Sequence, residues 1–213
     1  VDEISYKKRH KYLTVVYNQG DGKVVWVEKN RKKDNLLKAY DFIDNKIKNA
    51  KAICLDFWKA YEVATEEKYP ETKIVYDRFH LSRIVNRKIE EERRIYQNQL
   101  PVEKMQEIKK HFRWILLKRE NKLDQYNIDY LKSIKETNRP LFELYLLKEE
   151  FLNIFSKETT KQQARIKIIN WVNAVLKTEF KVLERFAKSI LNRLEKLLNW
   201  FDDKISNGKA EGI

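Results

Sequence analysis

The chain is poor in cysteine, glycine and proline, and each shortage narrows the class of protein. Cys54 is the one cysteine among 213 residues, so neither an intrachain disulfide nor a paired-cysteine zinc motif can form. This usage fits a reducing cytoplasm, and we expect Cys54 to be a small buried hydrophobe within an apolar strand. Four glycines and three prolines leave few turn signals, which favours long helices.

Membrane-length apolar runs are missing, and acidic residues are outnumbered by basic ones. No stretch approaches the roughly 18–20 residues of a membrane span and none resembles a signal peptide, so we expect no membrane partner. There are 45 Lys and Arg against 32 Asp and Glu, a net charge of +13. This excess favours a polyanionic partner, most often nucleic acid. The alternative is a set of Lys-rich helices that are simply solvated.

Two short apolar runs between residues 52 and 80 each end in an acidic residue. The first ends at Asp56 and the second at Asp77, and a segment of helical character, 59–69, separates them. This arrangement predicts two parallel strands joined by a crossover helix. Because functional groups of open α/β sheets collect beyond the carboxyl ends of the strands, we expect both acids at a site of chemistry. A carboxylate there is poorly solvated. Its burial is unfavourable unless it binds a cation or accepts hydrogen bonds.

The segment before residue 52 predicts further strands, and the segment after residue 80 predicts helices only. A short strand at Asp2 is followed by a hairpin of strands 12–17 and 23–27 and by a helix over 33–43. Beyond residue 80 apolar residues recur at helical spacing, with Pro101 opening a helix that reaches Phe112 and Pro140 opening another. We also predict one long final helix, carrying Leu183 through Phe201 on its apolar side.

This final helix is predicted to carry a basic face. Lys181, Arg185 and Lys188 lie at i, i+4 and i+7, and Lys196 continues the row two turns later. Such a face can lie along the phosphate backbone of DNA. A solvated helix face is the alternative for each of these residues.

Three acidic residues stand at the edges of apolar or capped elements: Asp2, Asp56 and Glu211. Two or three carboxylates can hold a pair of Mg²⁺ ions about 3.5–4 Å apart, which is an arrangement that cleaves phosphodiesters. Mg²⁺ takes few carboxylates and completes its shell with waters and substrate phosphates. Spacing alone does not single out this triple, because 32 acidic residues offer many others.

Several strings of residues, taken in order, resemble the catalytic core of a known enzyme family. They are Asp2-Glu-Ile-Ser, Lys11-Tyr-Leu-Thr-Val-Val, Leu55-Asp-Phe-Trp-Lys-Ala-Tyr, Val75-Tyr-Asp-Arg-Phe-His, Tyr145-Leu-Leu-Lys-Glu-Glu-Phe and Ser206-Asn-Gly-Lys-Ala-Glu-Gly-Ile. Over essentially the whole chain they resemble the bacterial insertion-sequence transposases of the IS-L-three family. The resemblance implies an α+β fold with three parts: a ribonuclease-H-like core over 1–80, an all-helical insertion over 81–205, and the start of a final core helix over 206–213.

The resemblance also implies a site and a reaction. Asp2, Asp56 and Glu211 would be a DDE-type triad that binds two Mg²⁺ or Mn²⁺ ions, supported by an Asp-x-x-His element made of Asp77 and His80. The implied reaction is cleavage at transposon ends followed by attack of a 3′-hydroxyl on target DNA. His80 would orient a carboxylate or contact phosphate, or only hydrogen-bond at a helix N-terminus. Asp77 would support the site or only cap the next helix.

DNA is therefore the implied partner, within a homo-oligomer of the full-length protein at the nucleoid of a bacterial cytoplasm. The chain departs from the family pattern at both ends. We expect the strand of Asp2 to be nearly absent, the helix of Glu211 to be cut after one turn, and the N-terminal region that would recognise the element's ends to lie outside this sequence. We expect the chain alone to be inactive or nearly so.

For four tryptophans the sequence allows two roles, packing in the core or contact with DNA. Trp58 follows Asp56 closely, and we expect it to pack in the core. Trp114, Trp171 and Trp200 fit apolar helix stripes, so core packing is again expected, with stacking on a displaced base as the minority alternative.

Two other functions stay open at this stage. One is a related two-metal nuclease or resolvase that cuts DNA without joining it. The other is a non-catalytic DNA-binding remnant of a mobile element.

Overall fold

The computed structural model describes residues 1–7, 11–47, 50–108, 111–156 and 158–204, and over these residues the fold is α+β. The strands are β1 (Asp2–Lys7), β2 (Lys11–Tyr17), β3 (Val24–Lys29), β4 (Ala52–Leu55) and β5 (Lys73–Tyr76). The helices are α1 (Lys33–Ile47), α2 (Lys59–Lys68), α3 (Arg78–Gln97), α4 (Val102–Ile108), α5 (His111–Leu117), α6 (Gln125–Thr137), α7 (Arg139–Ile154), α8 (Lys161–Leu176), α9 (Lys181–Leu191), α10 (Leu194–Leu198) and α11 (Trp200–Asp203), with one 3-10 turn at Glu120–Lys122.

The chain divides into two compact units. The sheet unit comprises residues 1–81 and the described residues from 195 onward, and the helical unit comprises residues 82–194. Among the described helices, none combines the length and the apolar character that crossing a membrane requires.

An antiparallel sheet in the order β1-β2-β3 opens the sheet unit. The expectation that the strand of Asp2 is nearly absent was wrong, because β1 spans six residues and pairs with β2. Its β2–β3 hairpin was predicted and is confirmed: the Gly22 N–H donates to the Asn18 carbonyl at 2.8 Å, and Gly22 takes a φ of +73° that suits glycine. Strand β2 is the central strand, and Val15 and Val16, which point to opposite faces of the sheet, are both buried.

The predicted parallel pair is also confirmed. Strands β4 and β5 pair in parallel register from Ala52↔Lys73 to Leu55↔Tyr76, and α2 provides the crossover. Both strands are apolar and almost wholly buried, as strands of covered parallel sheets are, and Cys54 is buried among them as predicted. The Val1 nitrogen donates to the Cys54 carbonyl at 2.7 Å, which brings the start of β1 beside β4.

The helical unit packs around aromatic side chains. The rings of Phe151 on α7, Trp171 on α8 and Phe186 on α9 lie with centroids 4.7–6.1 Å apart, at tilted or edge-on angles. Three helix starts in the described part of this unit are capped by the expected residue types. The side chain of Asp124 accepts from the Asn127 N–H before α6, Asn138 accepts from the Leu141 N–H before α7, and Thr160 forms a capping box with Gln163 before α8.

The helix predicted from Pro101 to Phe112 is described as α4 and α5, and residues 109–110 between them lie outside the described residues. One helix prediction was wrong. The predicted long final helix is divided into α9, α10 and α11. Asparagine favours such breaks because its side chain competes for backbone partners. At the second break the Asn199 side chain donates to the Ile74 carbonyl of β5 at 2.8 Å, a contact that no periodicity in the helix predicts.

Candidate metal centre

Strand ends and one helix start place the first three side chains of the site. Asp56 directly follows β4 and is 1 % exposed, and Asp77 directly follows β5, with its N–H donating to the Leu55 carbonyl at 2.9 Å. The Asp77 carboxylate accepts from the Phe79 N–H at 3.1 Å and so caps α3. His80 lies in the first turn of α3, so this cap helps to fix the position of the His80 backbone, from which the imidazole extends.

The imidazole of His80 joins the two strand ends. Its Nδ1 lies 2.8 Å from Oδ1 of Asp56 and 3.8 Å from Oδ2 of Asp77. This geometry fits the first of the roles that the sequence left open for His80, orienting a carboxylate, and that role stays a prediction. The structure shows the helix cap formed by Asp77, and the support of the site by Asp77 stays a prediction.

Asp2 reaches the same place from the antiparallel sheet. The N–H of Glu3 donates to Oδ1 of Asp2 at 2.7 Å and to Oδ2 of Asp56 at 3.0 Å, so one amide lies between the two carboxylates. Ligand atoms of Asp2, Asp56 and His80 all lie within 4.8 Å of one another. Folding therefore brings together Asp2 and Asp56, which are 54 positions apart in sequence.

This donor set suits a hard divalent cation. Mg²⁺ and Mn²⁺ prefer carboxylate oxygens, and Mg²⁺ commonly uses one or two of them together with waters and phosphates. Hydrogen bonds from a neighbouring group to a ligating carboxylate are the usual way in which its oxygens are oriented. The residues present therefore fit such an ion, with His80 best placed to support Asp56.

Titration of the site points the same way. Burial raises the pKa of the Asp56 carboxyl to about 6, against the opposing effect of the hydrogen bond from His80. Burial lowers the pKa of His80, but the interactions with Asp56 and Asp77 outweigh it, and the net pKa is raised to about 10. Both groups hold their protons more tightly than they do in water, because negative charge is concentrated in a poorly solvated place. Such a place also attracts cations.

The remaining predicted residues are not all described. Glu211 lies in 205–213, outside the described residues, so its membership of the triad stays a prediction. Trp58 was expected in the core and this was wrong, because its side chain is 38 % exposed and its ring faces the Arg31 guanidinium. Trp171 and Trp200 are buried as expected, whereas Trp114 is 63 % exposed.

The basic row is not continuous in the structure. Lys181 and Lys188 both pair with Glu184 on α9, at 3.0 and 2.7 Å. Lys196 lies on α10 in the sheet unit, where it pairs with Glu62 and Glu66 of α2. The DNA-binding role of Lys181, Arg185, Lys188 and Lys196 stays a prediction.

Sequence reasoning missed two contributors to the site. One is the Glu3 amide, a backbone group that carries no signal in residue type. The other is Arg31, which pairs with Glu3 at 3.0 Å and resembled an ordinary charged loop residue. Its position in the short connection between β3 and α1 was the one signal available.

An α+β unit that gathers two carboxylates and an imidazole at its strand ends is a candidate cation-binding enzyme core. Residues 1–213 match the model of a family described as Transposase, of the IS-L-three type, and the chain belongs to that family. The resemblance inferred from the residue strings is thereby confirmed.

Curated relatives of the chain are transposases of insertion sequences. The chain is 26 % identical over 216 residues to the transposase for insertion sequence element IS1001 of Bordetella parapertussis, covering 100 % of this chain and 53 % of that protein. It is 29 % identical over 198 residues to the transposase for IS1557 of Mycobacterium tuberculosis, covering 80 % of this chain and 44 % of that protein. The chain thus spans about half the length of the curated relatives it matches. No solved structure matches it.

Proposed function

We propose that this chain is the catalytic domain of a DDE-type DNA transposase. The observation that carries the proposal is the convergence of Asp2, Asp56 and His80 within 4.8 Å in a chain that belongs to a transposase family. Asp2 and Asp56 hold a divalent cation, Mg²⁺ or Mn²⁺, and Glu211 completes a triad able to hold two. The substrate is DNA, first at the transposon ends and then at the target.

Divalent cations held by Asp2 and Asp56 would supply Lewis-acid stabilisation of the charge that develops on the phosphodiester. The chain's own residues set the geometry. His80 donates to Asp56 and fixes its orientation, while Asp77 holds His80 through the cap of α3 and the 3.8 Å approach. The shared amide of Glu3 keeps Asp2 and Asp56 adjacent when like charge would separate them.

The proposed architecture is a ribonuclease-H-like core over 1–80 with an all-helical insertion over 81–205 and a returning core helix from 206. Its support is the arrangement of three antiparallel strands beside a parallel pair, with the start of β1 alongside β4. The helical unit supports the position of the insertion. We propose further that the full-length protein acts as a homo-oligomer on DNA at the nucleoid of a bacterial cytoplasm, and that the chain alone has little activity.

Substitution of Asp56 tests the function. The chain, together with any further residues that its gene encodes, is assayed for Mg²⁺-dependent cleavage and joining of DNA carrying the element's ends. Asp56→Asn and Glu211→Gln should abolish cleavage and leave DNA binding intact. The matched control is Asp41→Asn, which makes the same chemical change at an exposed position of α1 that pairs with Lys68.

Each outcome discriminates between functions. Joined products that contain target DNA support a transposase, and cleavage without joining indicates a nuclease or resolvase. DNA binding without cleavage in the unsubstituted protein indicates a non-catalytic remnant. Full activity of Asp56→Asn would remove Asp56 from the site. Terminal inverted repeats flanking the open reading frame would give independent support for a mobile element.

A further inference from the structure

Arg31 makes an unusual set of contacts just outside the candidate metal centre. The central carbon of its guanidinium lies 4.2 Å from the ring centroid of Tyr12 and 4.2 Å from that of Trp58. Its Nη1 pairs with the Glu3 carboxylate at 3.0 Å. One side chain thus contacts β1, β2 and the loop that follows β4.

The backbone around Arg31 is held as firmly as its side chain. Asn30 adopts a φ of +71°, a left-handed conformation that asparagine tolerates, and its N–H donates to the Tyr12 carbonyl at 2.7 Å. The Asn30 carbonyl accepts from the Thr14 hydroxyl at 2.6 Å. The indole N–H of Trp58 donates to the Arg31 carbonyl at 3.0 Å. These hydrogen bonds fix the backbone from which the Arg31 side chain extends to Glu3.

Two of the three residues that Arg31 contacts are hydrogen-bonded to Asp2 or Asp56. Glu3 supplies the amide that donates to both Asp2 and Asp56. Trp58 lies two residues beyond Asp56, and its N–H donates to the Asp56 carbonyl at 2.6 Å. A displacement of Glu3 or Trp58 would therefore change the separation of the two acidic side chains.

We infer that Arg31 is a positioning residue that sets the spacing of Asp2 and Asp56 for the cation. This inference rests on the proposed function of the same site. Arginine is suited to the role because its planar guanidinium stacks on rings and bonds a carboxylate at the same time, which a lysine ammonium cannot do. Groups that orient metal ligands from outside the coordination shell typically change metal affinity by about 10- to 100-fold when they are removed.

The test is the affinity of the 213-residue chain for Mn²⁺, measured by the electron paramagnetic resonance signal of the free ion. Arg31→Ala should weaken Mn²⁺ binding about ten-fold, and Arg31→Lys should lose most of the same affinity although it keeps the charge. Lys68→Ala is the matched control, because it removes a cation that pairs with Asp41 at 2.7 Å elsewhere in the sheet unit. Its Mn²⁺ affinity should equal that of the unsubstituted chain.

A double-substitution cycle separates positioning from general destabilisation. Glu3→Gln weakens the pair with Arg31 but keeps the backbone amide, so it should lower Mn²⁺ affinity less than Arg31→Ala does. The two changes together should cost no more affinity than Arg31→Ala alone, since they act through one contact. Additive losses would overturn the inference.

The possible failures are distinguishable. If the unsubstituted chain does not bind Mn²⁺, the proposed metal site fails and Arg31 has nothing to position. If the unsubstituted chain binds and folded Arg31→Ala binds equally well, only the role of Arg31 fails. If Arg31→Ala does not fold, Arg31→Lys and Glu3→Gln decide, and unchanged affinity in both would overturn the inference.

Discussion

Buried charge at the strand ends of the sheet unit is compensated differently from buried charge in the helical unit. In the helical unit, buried Lys148 donates to the Lys118 carbonyl and pairs with Glu149, and buried Glu92 accepts from backbone amides at the start of α9. In the sheet unit, acidic side chains from three different segments surround one imidazole. These buried charges of the helical unit are compensated by an opposite charge or by backbone groups, whereas the strand ends of the sheet unit gather carboxylates around a single imidazole. That contrast is the reason for proposing a cation site in the sheet unit and not in the helical unit.

The largest loss of stability is expected from the packed core of the helical unit. Phe151→Ala should lower the free energy of unfolding by about 3–5 kcal/mol, because it opens a cavity beside Trp171 and Phe186. Chemical denaturation followed by circular dichroism measures this. Ile166→Ala, at a residue of α8 that is 55 % exposed, is the control and should change little. If packing alone is disturbed, the Mn²⁺ affinity of folded Phe151→Ala should match that of the unsubstituted chain.

The pH dependence of stability tests the concentration of charge in the sheet unit. The folded-state pKa of His80 is raised from 6.5 to about 10, so its stabilising contribution is fully present below about pH 6.5 and is lost as the pH rises toward 10. Thermal melts of the metal-free chain should therefore show a midpoint that falls across this interval. The fall should be smaller in His80→Asn, and an unchanged slope in that variant would mean that His80 does not cause it.

A pair of isosteric substitutions should have opposite consequences in the two units. Glu92→Gln should lower the free energy of unfolding by about 1–2 kcal/mol, because a charged acceptor for buried amides becomes neutral. Asp56→Asn should leave the metal-free chain at least as stable at neutral pH, because burial raises the pKa of Asp56 to about 6 and its charge is unfavourable there. Denaturation of both variants under identical conditions measures the difference. Equal destabilisation would contradict the contrast between the units.

The smallest expected effect concerns the charged face of α9. If this face meets DNA phosphates, Lys181→Gln with Lys188→Gln should weaken DNA binding and reduce the salt slope of affinity by about 2. Glu184→Gln should strengthen binding, because Glu184 pairs with both lysines. Lys132→Gln, at an exposed residue of α6 that pairs with Asp129, is the control. Fluorescence anisotropy over a range of salt concentrations measures all four proteins.

Sequence periodicity predicted most elements correctly because it is a local signal. The parallel strands, the crossover helix, the hairpin and the helices opened by Pro101 and Pro140 follow from apolar spacing and turn residues within short windows. The same reasoning joined α9, α10 and α11 wrongly. The hydrogen bond from Asn199 to the Ile74 carbonyl joins residues that are 125 positions apart in sequence. No short sequence window around Asn199 could therefore reveal it.

The amino-acid sequence by itself determined the family, the acidic residues at the strand ends and the Asp-x-x-His element, because residue identity and short-range order carry that information. Only the tertiary structure decided that Asp2 and Asp56 share the amide of Glu3 and that Trp58 stacks on Arg31 at the surface. Those features depend on β1 beginning beside β4, and strand neighbours of that kind are chosen by the burial of the whole unit. The chemical type of a residue limits which ligands it can bind. Its neighbours in the folded structure determine whether a binding site forms around it.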